Sequence, residues 1–269
     1  MKKAGFYLLL VIVVLYCVGP LVWQFITSIK PAGELAVLPP LLPRHPTAAH
    51  YRSVFYDYPF LRFIRNSTVV AASTTVLSLL AGSLCSFGLA KLRLPHASLI
   101  LGLILSVSMF PPVATVSPLF IMIRAMGLRD TLTALIMTHT AFSLPITIWV
   151  LTNFFRSIPD EIYNAARVDG CGPFRIYVRI ILPLSVPAVF TTGILVFIFS
   201  WNEFLYALTF TSASSRTVPV AIALFPGIHE MPWGEIAAAS VIVTIPIILL
   251  VMLFQKKIVE GLTAGAVKG

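Results

Sequence analysis

The sequence predicts an all-α polytopic membrane protein with six transmembrane helices, on three grounds. Of its 269 residues, 58% are hydrophobic and only 11% charged, and the mean hydropathy is +0.94, so too few charged groups exist to cover a surface in water. Apolar runs of about 20 residues, enough to cross ~30 Å of hydrocarbon as a helix, recur along the whole chain. The basic residues stand singly at the ends of those runs, which is how membrane topology is encoded and not how a nucleic-acid-binding stripe is built. The formal charge of +9 is therefore no argument for nucleic acid.

Met1-Lys2-Lys3 followed by an apolar run resembles a signal peptide, but the run continues over 6–29 without a small-residue cleavage site before Lys30. It reads as an uncleaved first span. Residues 30–65 are polar and proline-rich (Pro31, Pro39, Pro40, Pro43, Pro46), a loop with one short helix near 48–55. Span two covers 66–90 with Asn66 as cap; within it Ser78, Gly82, Ser86 and Ala90 recur every fourth residue, a stripe that lets another helix approach closely. Span three, 97–125, is interrupted by Pro111-Pro112 and Pro118. Broken helices survive at membrane depth only where protein or a watery path satisfies the freed backbone, which favours a transport pathway as much as a structural kink. Span four runs over 131–155 with Pro145 in its middle, span five over 184–210, a loop over 211–235 and span six over 236–254, with a tail from Gln255-Lys256-Lys257. The whole of 1–269 reads as a single transmembrane domain. Cys17, Cys85 and Cys171 have no paired spacing and read as packing residues.

Six spans put both termini on one side. The termini, the 91–96 turn and the central polar stretch carry eleven basic against four acidic residues, a net +7; the other face carries eight against six, a net +2. The positive-inside rule makes the termini and the central stretch cytoplasmic.

That central stretch, 156–183, is the longest polar interval that still reads as helical. Pro159 suits a first helical turn, with Ser157 as cap, and Asp160 and Glu161 favour the positive end of the helix dipole. Ile158, Ile162 and Ala165 form a narrow apolar stripe, and Gly170 is the expected stop. A second helix starts at Pro173, carries Phe174, Tyr177, Val178 and Ile181 on one side, and runs directly into the next span. Helices this short are marginal alone, so something must pack on them.

Ala165-Ala166-Arg167-Val168-Asp169-Gly170 followed by Ile180-Ile181-Leu182-Pro183 resembles the "EAA loop" of ABC importer permeases. The resemblance implies a type I ABC importer permease fold and a coupling helix that lies in a groove of an ATP-binding subunit. It makes Glu161, Asn164, Ala165, Ala166, Asp169 and Gly170 the ATPase-coupling residues; Asn164 stands where the motif has glutamate. Asn66-Ser67, Gly127-Leu128-Arg129-Asp130, Leu144-Pro145, Trp201-Asn202-Glu203-Phe204 and the glycine-rich 261–269 are similar to the maltose-type sugar permeases of the carbohydrate-uptake subfamily, the second of its two permeases in particular. That implies import of a sugar or oligosaccharide across a bacterial inner membrane. It also implies a second, different permease, two ATP-binding subunits holding ATP and Mg²⁺, and an extracytoplasmic sugar-binding protein, with no cofactor or metal on this chain. The tail would either reach the ATPase dimer or simply fray as chain ends do, and the loop around Phe225-Pro226-Gly227-Ile228 would either enter the binding protein's cleft or merely join two spans.

Several residues carry two readings. Asp169 and Gly170 suit docking, or simply a helix-ending turn. Arg175 and Arg179, four apart, suit positive-inside anchors. Trp201, Asn202 and Glu203 fall in the outer half of span five, where they would either line a sugar path or sit in the aromatic belt and interface. His139 suits a hydrogen bond across helices better than a proton relay. Two rival functions are weaker. A gradient-driven secondary transporter wants intramembrane carboxylates, and Glu203 is the only acidic residue well inside a span; an intramembrane enzyme wants motifs that the sequence lacks. No G-x-x-x-x-G-K-[ST] loop is present, so the chain is not itself the ATPase.

Overall fold

The computed structural model describes residues 2–35, 41–225 and 231–263, with side chains between Gly5 and Gln255. In order it forms α1 (Lys2–Ser28), α2 (Ala32–Leu35), α3 (Ala49–Tyr56), α4 (Phe60–Lys91), α5 (Ala97–Val107), α6 (Pro112–Ala125), α7 (Leu132–Ser157), α8 (Asp160–Val168) and α9 (Pro173–Ile176). A π-helical turn (Tyr177–Ile181), α10 (Leu182–Leu184), α11 (Val186–Asn202), α12 (Leu205–Phe210), α13 (Val218–Ala223) and α14 (Trp233–Thr263) follow. Among the described residues there is no strand. Among the described residues four helices are long and apolar enough to cross a membrane, and two bent pairs make six if each is one span: α5 with α6, bent by 85°, and Pro173–Leu184 with α11, bent by 79°.

Several boundaries differ from the sequence reading. α4 starts at Phe60, so Asn66 caps nothing; its amide donates to the carbonyls of Ser214 and Arg216, at 3.1 and 3.0 Å. Pro111 breaks span three as expected, whereas Pro118 lies inside α6, and Pro145 lies inside α7. Thr131 caps α7, its hydroxyl accepting from the Ala134 amide. The second helix of the central polar stretch does not run straight on, because the chain turns sharply at Ser185, and the helix of span five stops at Asn202. α14 continues through Lys256-Lys257 to Thr263, since falling hydropathy marks the edge of the membrane and not the end of a helix. Residues 264–269 of the proposed tail, and Pro226, Gly227 and Ile228 of the outer loop, lie outside the described residues.

Contacts divide the chain into two compact units. One comprises the described residues up to Ile64 together with those from Thr217 to Ile248. Its core joins Val54, Phe60, Phe63, Val218, Ala221, Phe225, Ala238 and Ala239, with Phe225 stacked on Tyr58 at 4.5 Å. Buried His50 ties this unit together: Nδ1 lies 3.0 Å from Glu235 Oε1 and Nε2 2.8 Å from the Lys30 carbonyl. Only a glycine fits at 234, where a Cβ would come within 2.3 Å of the His50 ring.

The other unit, Arg65 to Arg216 and Leu249 onward, is organised around α7, half of whose apolar window is buried, 50% against 33% for α4. The four-residue stripe on α4 faces α7 as its spacing suggested. Ser78 and Ser143 hydroxyls pair at 2.7 Å, the Ser86 hydroxyl donates to the Ile148 carbonyl at 2.9 Å, and Gly82 sits against Thr147. Lipid provides no hydrophobic drive for helix association, so close packing and such bonds, about 0.6 kcal/mol each, hold the pair. A Cβ on Gly82 would lie 2.5 Å from Thr147 Cγ2. Gly82→Ala should therefore destabilise the protein by about 1–3 kcal/mol, the usual cost of overpacking. Thr147→Ser, which removes that methyl, should restore most of the loss. Thermal unfolding in detergent of the single and double variants checks this, and an additive double variant would refute the contact.

Candidate functional site

The central polar stretch forms one compact hairpin against the ends of α4 and α7. Ser157 is the last residue of α7 and not a cap; its hydroxyl turns back to the Phe154 carbonyl, and Pro159 occupies the cap position of α8. α8 ends in a Schellman motif, the Cys171 amide donating to the Ala166 carbonyl and the Gly170 amide to that of Arg167, with Gly170 at φ +79°. A Cβ at 170 would touch nothing, so the glycine is required by its backbone and not by space.

The buried face of α8 is not the one the apolar spacing suggested. Ala166 is buried and Tyr163 half-buried, packed with Phe87, Phe155, Ile158 and Ile176, while Ile162 and Ala165 face outward. A nine-residue helix with few apolar side chains takes its rotation from the surface beneath it, here the rings of Phe87 and Tyr177, 5.3 Å apart. Consequently Glu161, Asn164, Ala165, Asp169 and Gly170 lie exposed together, with Val168 at 88% and Phe174 at 70% exposure beside them, whereas Ala166 belongs to the inner face. Of the second helix's stripe, Tyr177 and Ile181 are buried with Ile176, and Phe174 and Val178 are exposed. Arg175 and Arg179 are also exposed.

One attachment was not legible in advance. The Lys91 side chain, 1% exposed, donates at 2.6 Å to both the Ile158 carbonyl and Asp160 Oδ1. By that hydrogen bond and its charge, Lys91 holds the Asp160 carboxyl below its ordinary 3.8. Because the folded value is depressed, the pair contributes in full above pH 3.8 and is lost only as the pH falls below it.

At the far end of α11 the three residues of the proposed sugar path separate. Trp201 is buried and stacked on Phe197 at 5.6 Å, and Asn202 is exposed, its amide donating to the Ile198 carbonyl. Glu203 turns inward: Oε1 accepts from the Tyr206 amide at 2.9 Å, and Oε2 accepts from the Ala207 amide at 3.0 Å and lies 3.1 Å from His139 Nε2. His139 Nδ1 lies 2.8 Å from the Ser200 hydroxyl, so His139 does bond across helices. Glu203 thus caps α12 and permits the break after Asn202. Asp130, at φ +57°, similarly gathers the hydroxyls of Ser212, Ser214 and Ser215 and the Ser212 amide. Burial would raise its pKa, but these bonds outweigh it and hold the carboxyl well below 3.8. With Asn66 on the same loop, 211–216 is fastened from two sides. Among the described residues no cluster of His, Cys, Asp and Glu could hold a metal.

Long apolar helices, two sharply bent pairs and one short polar hairpin define a multi-pass helical membrane subunit. Residues 76–263 match the family described as "binding-protein-dependent transport system inner membrane component", and the chain belongs to that family. It is 43% identical, over 93% of its length and 88% of the relative's, to the sulfoquinovosyl glycerol transport system permease protein SmoH of Agrobacterium fabrum. It is 40% identical to the trehalose transport system permease protein SugB of Mycobacterium tuberculosis, over 100% of this chain and 99% of that one. To the trehalose/maltose transport system permease protein MalG of Thermococcus litoralis it is also 40% identical, over 96% and 94%. A chain from the crystal structure of a bacterial ABC transporter involved in the import of the acidic polysaccharide alginate shares its fold, with a TM-score of 0.81 over 95% of each chain at 23% identity. This chain is therefore an inner-membrane permease subunit of an ABC transport system that works with other components of that system, and neither a secondary transporter nor an enzyme.

The cap at Glu203 yields a stability test. Glu203→Ala leaves two α12 amides and a buried histidine nitrogen without their acceptor, each worth about 1–3 kcal/mol, while Glu203→Gln keeps one oxygen for the helix end. Thermal unfolding should rank wild type above Gln and Gln above Ala; an Ala variant as stable as wild type would remove the capping account.

Proposed function

We propose that this chain is the second of two different permeases in an ATP-driven importer of a sugar or oligosaccharide. As one transmembrane domain over 1–269 it crosses the membrane six times with both termini cytoplasmic. The exposed face of α8 (Glu161, Asn164, Ala165, Asp169, Gly170) lies against an ATP-binding subunit; two such subunits carry ATP and Mg²⁺, and an extracytoplasmic binding protein delivers the sugar. ATP-dependent closure of the partner binds one state of the permease better than the other and so shifts it between inward-open and outward-open forms. Asn202 lines the path, its amide suited to sugar hydroxyls. The observation that carries this reading is the outward face of α8, with Val168 88% exposed on a helix held firmly from behind. Val168 alone would mean little, but with Ile162 and Phe174 also exposed on the same hairpin the apolar side chains suit a protein contact. The sugar follows from what the relatives' names say they carry.

Gentle extraction of the tagged chain from its native membrane and mass spectrometry of what co-purifies should recover a second permease, ATP-binding subunits and a sugar-binding protein; recovery of the chain alone would sink the reading. Gly170→Val, forced into the left-handed region at a cost of about 1–2 kcal/mol, should lower uptake per ATP hydrolysed at an unchanged membrane level, and native coupling would count against docking here. Asn202→Ala should change the sugar concentration dependence without preventing assembly, whereas an unchanged profile would take Asn202 off the path.

A further inference from the structure

The hairpin touches α4 at three points on one face. The Ser83 hydroxyl pairs with the Tyr177 hydroxyl at 2.7 Å, the Phe87 ring lies 5.3 Å from that of Tyr177 and 6.3 Å from that of Tyr163, and the Lys91 ammonium holds Asp160 and the Ile158 carbonyl. Ser83, Phe87 and Lys91 are four residues apart, so the contacts run in line down the last turns of α4. Lys91 also sits where a positive-inside charge would normally reach for lipid phosphate or water, yet it is almost wholly buried under α8.

We propose that Lys91 is a positioning residue for ATP-driven coupling, its ammonium locking the start of α8 to the end of α4 so that the two move as one body. The proposal rests on the docking of α8 described above and adds to it the span that receives the motion. Covalent connection already ties the hairpin to α7 and α11. Only non-covalent contacts tie it to α4, and of the three Lys91 reaches the first residue of α8, Asp160, and the lead-in at Ile158. The ammonium faces two acceptors: the carbonyl fixes the lead-in to the helix, and the carboxylate fixes the helix itself. Arg93 also attracts Asp160 by its charge, less than Lys91 does. A neutral side chain at 91 would leave the ring and hydroxyl contacts in place and free the start of α8 to pivot about them.

The test uses the full complex, purified through this chain, with Cys17, Cys85 and Cys171 replaced by serine. Spin labels are placed at Leu84→Cys on α4 and Arg175→Cys on α9, both exposed positions. Pulsed electron resonance then gives the distance between them without nucleotide and after trapping with MgATP and vanadate. In the otherwise native chain the distance should be narrow and the same in both states. Lys91→Gln should broaden it and shift it on trapping by about 5 Å, the scale of a one-turn displacement, and Lys91→Arg should restore the native distribution. A distance unmoved by Lys91→Gln in both states overturns the proposal. Should Lys91→Gln not assemble, Asp160→Asn decides by the same measure: a nucleotide-dependent shift supports the clamp and an unchanged distance overturns it. Protection of Val168→Cys from a water-soluble maleimide by the ATP-binding subunits tests docking separately, so that loss of protection sinks the docking reading, whereas a locked distance with protection intact sinks the clamp alone.

Discussion

The close approach of α4 to α7 is the constraint from which the larger compact unit follows. In lipid, two helices gain little by burying leucines against each other, so the pair needs small residues and hydroxyls at the seam. Ser78, Gly82 and Ser86 meet Ser143, Thr147 and the Ile148 carbonyl there. Once α4 is fixed on that side, its neighbouring face, Ser83, Phe87 and Lys91, stands ready for the hairpin that follows α7. A shift of one helical position would turn α4 by about 100° and lose both surfaces at once.

The breaks in the spans show the same economy of polar groups. Ending a helix inside apolar surroundings leaves amides and carbonyls without partners. At the α11–α12 break Glu203 satisfies two of them and is itself fixed by His139, so a buried carboxylate serves the backbone instead of carrying charge for transport. Asp130 does the equivalent for the 211–216 loop, where an otherwise irregular serine-rich stretch becomes ordered around one carboxylate. In both places the carboxylate anchors backbone and hydroxyl groups.

What was legible in the sequence is what depends on periodicity and composition. The small-residue stripe of α4, the break at Pro111, the short helix α3 and the left-handed Gly170 all came from local pattern. What was not legible depends on partners distant in sequence. Asn66 resembles a helix cap, but its partners lie 148 and 150 residues away. Ile162 and Ala165 make a better apolar stripe than Tyr163 and Ala166, yet the second pair is turned inward, Tyr163 against the Phe87 ring and Ala166 into the cluster around it. Lys91 has the sequence signature of a topology charge, and only the arrival of Ile158 and Asp160 makes it a clamp. The stop at Asn202 has neither glycine nor proline to announce it, since the breaking agent is a glutamate that reaches forward three and four residues.

The same geometry links the two ends of the proposed transport cycle. α11 starts at Val186, just after the hairpin, and ends at Asn202, a helix of 17 residues and so about 25 Å long. It packs along α7, and Thr191 and Thr192 bond back to carbonyls four residues earlier, so their hydroxyls are satisfied within the helix. Under the proposed function such a helix would tilt as a unit, so that a small rotation at its hairpin end becomes a larger displacement at Asn202. The break immediately beyond Asn202 then confines that displacement, because α12 is held on α6 and α7 by Glu203, Tyr206 and the Tyr206–Thr115 hydroxyl pair. Under the proposed function, motion entering at α8 is delivered to the position where a sugar would pass, and the segment beyond it stays in place.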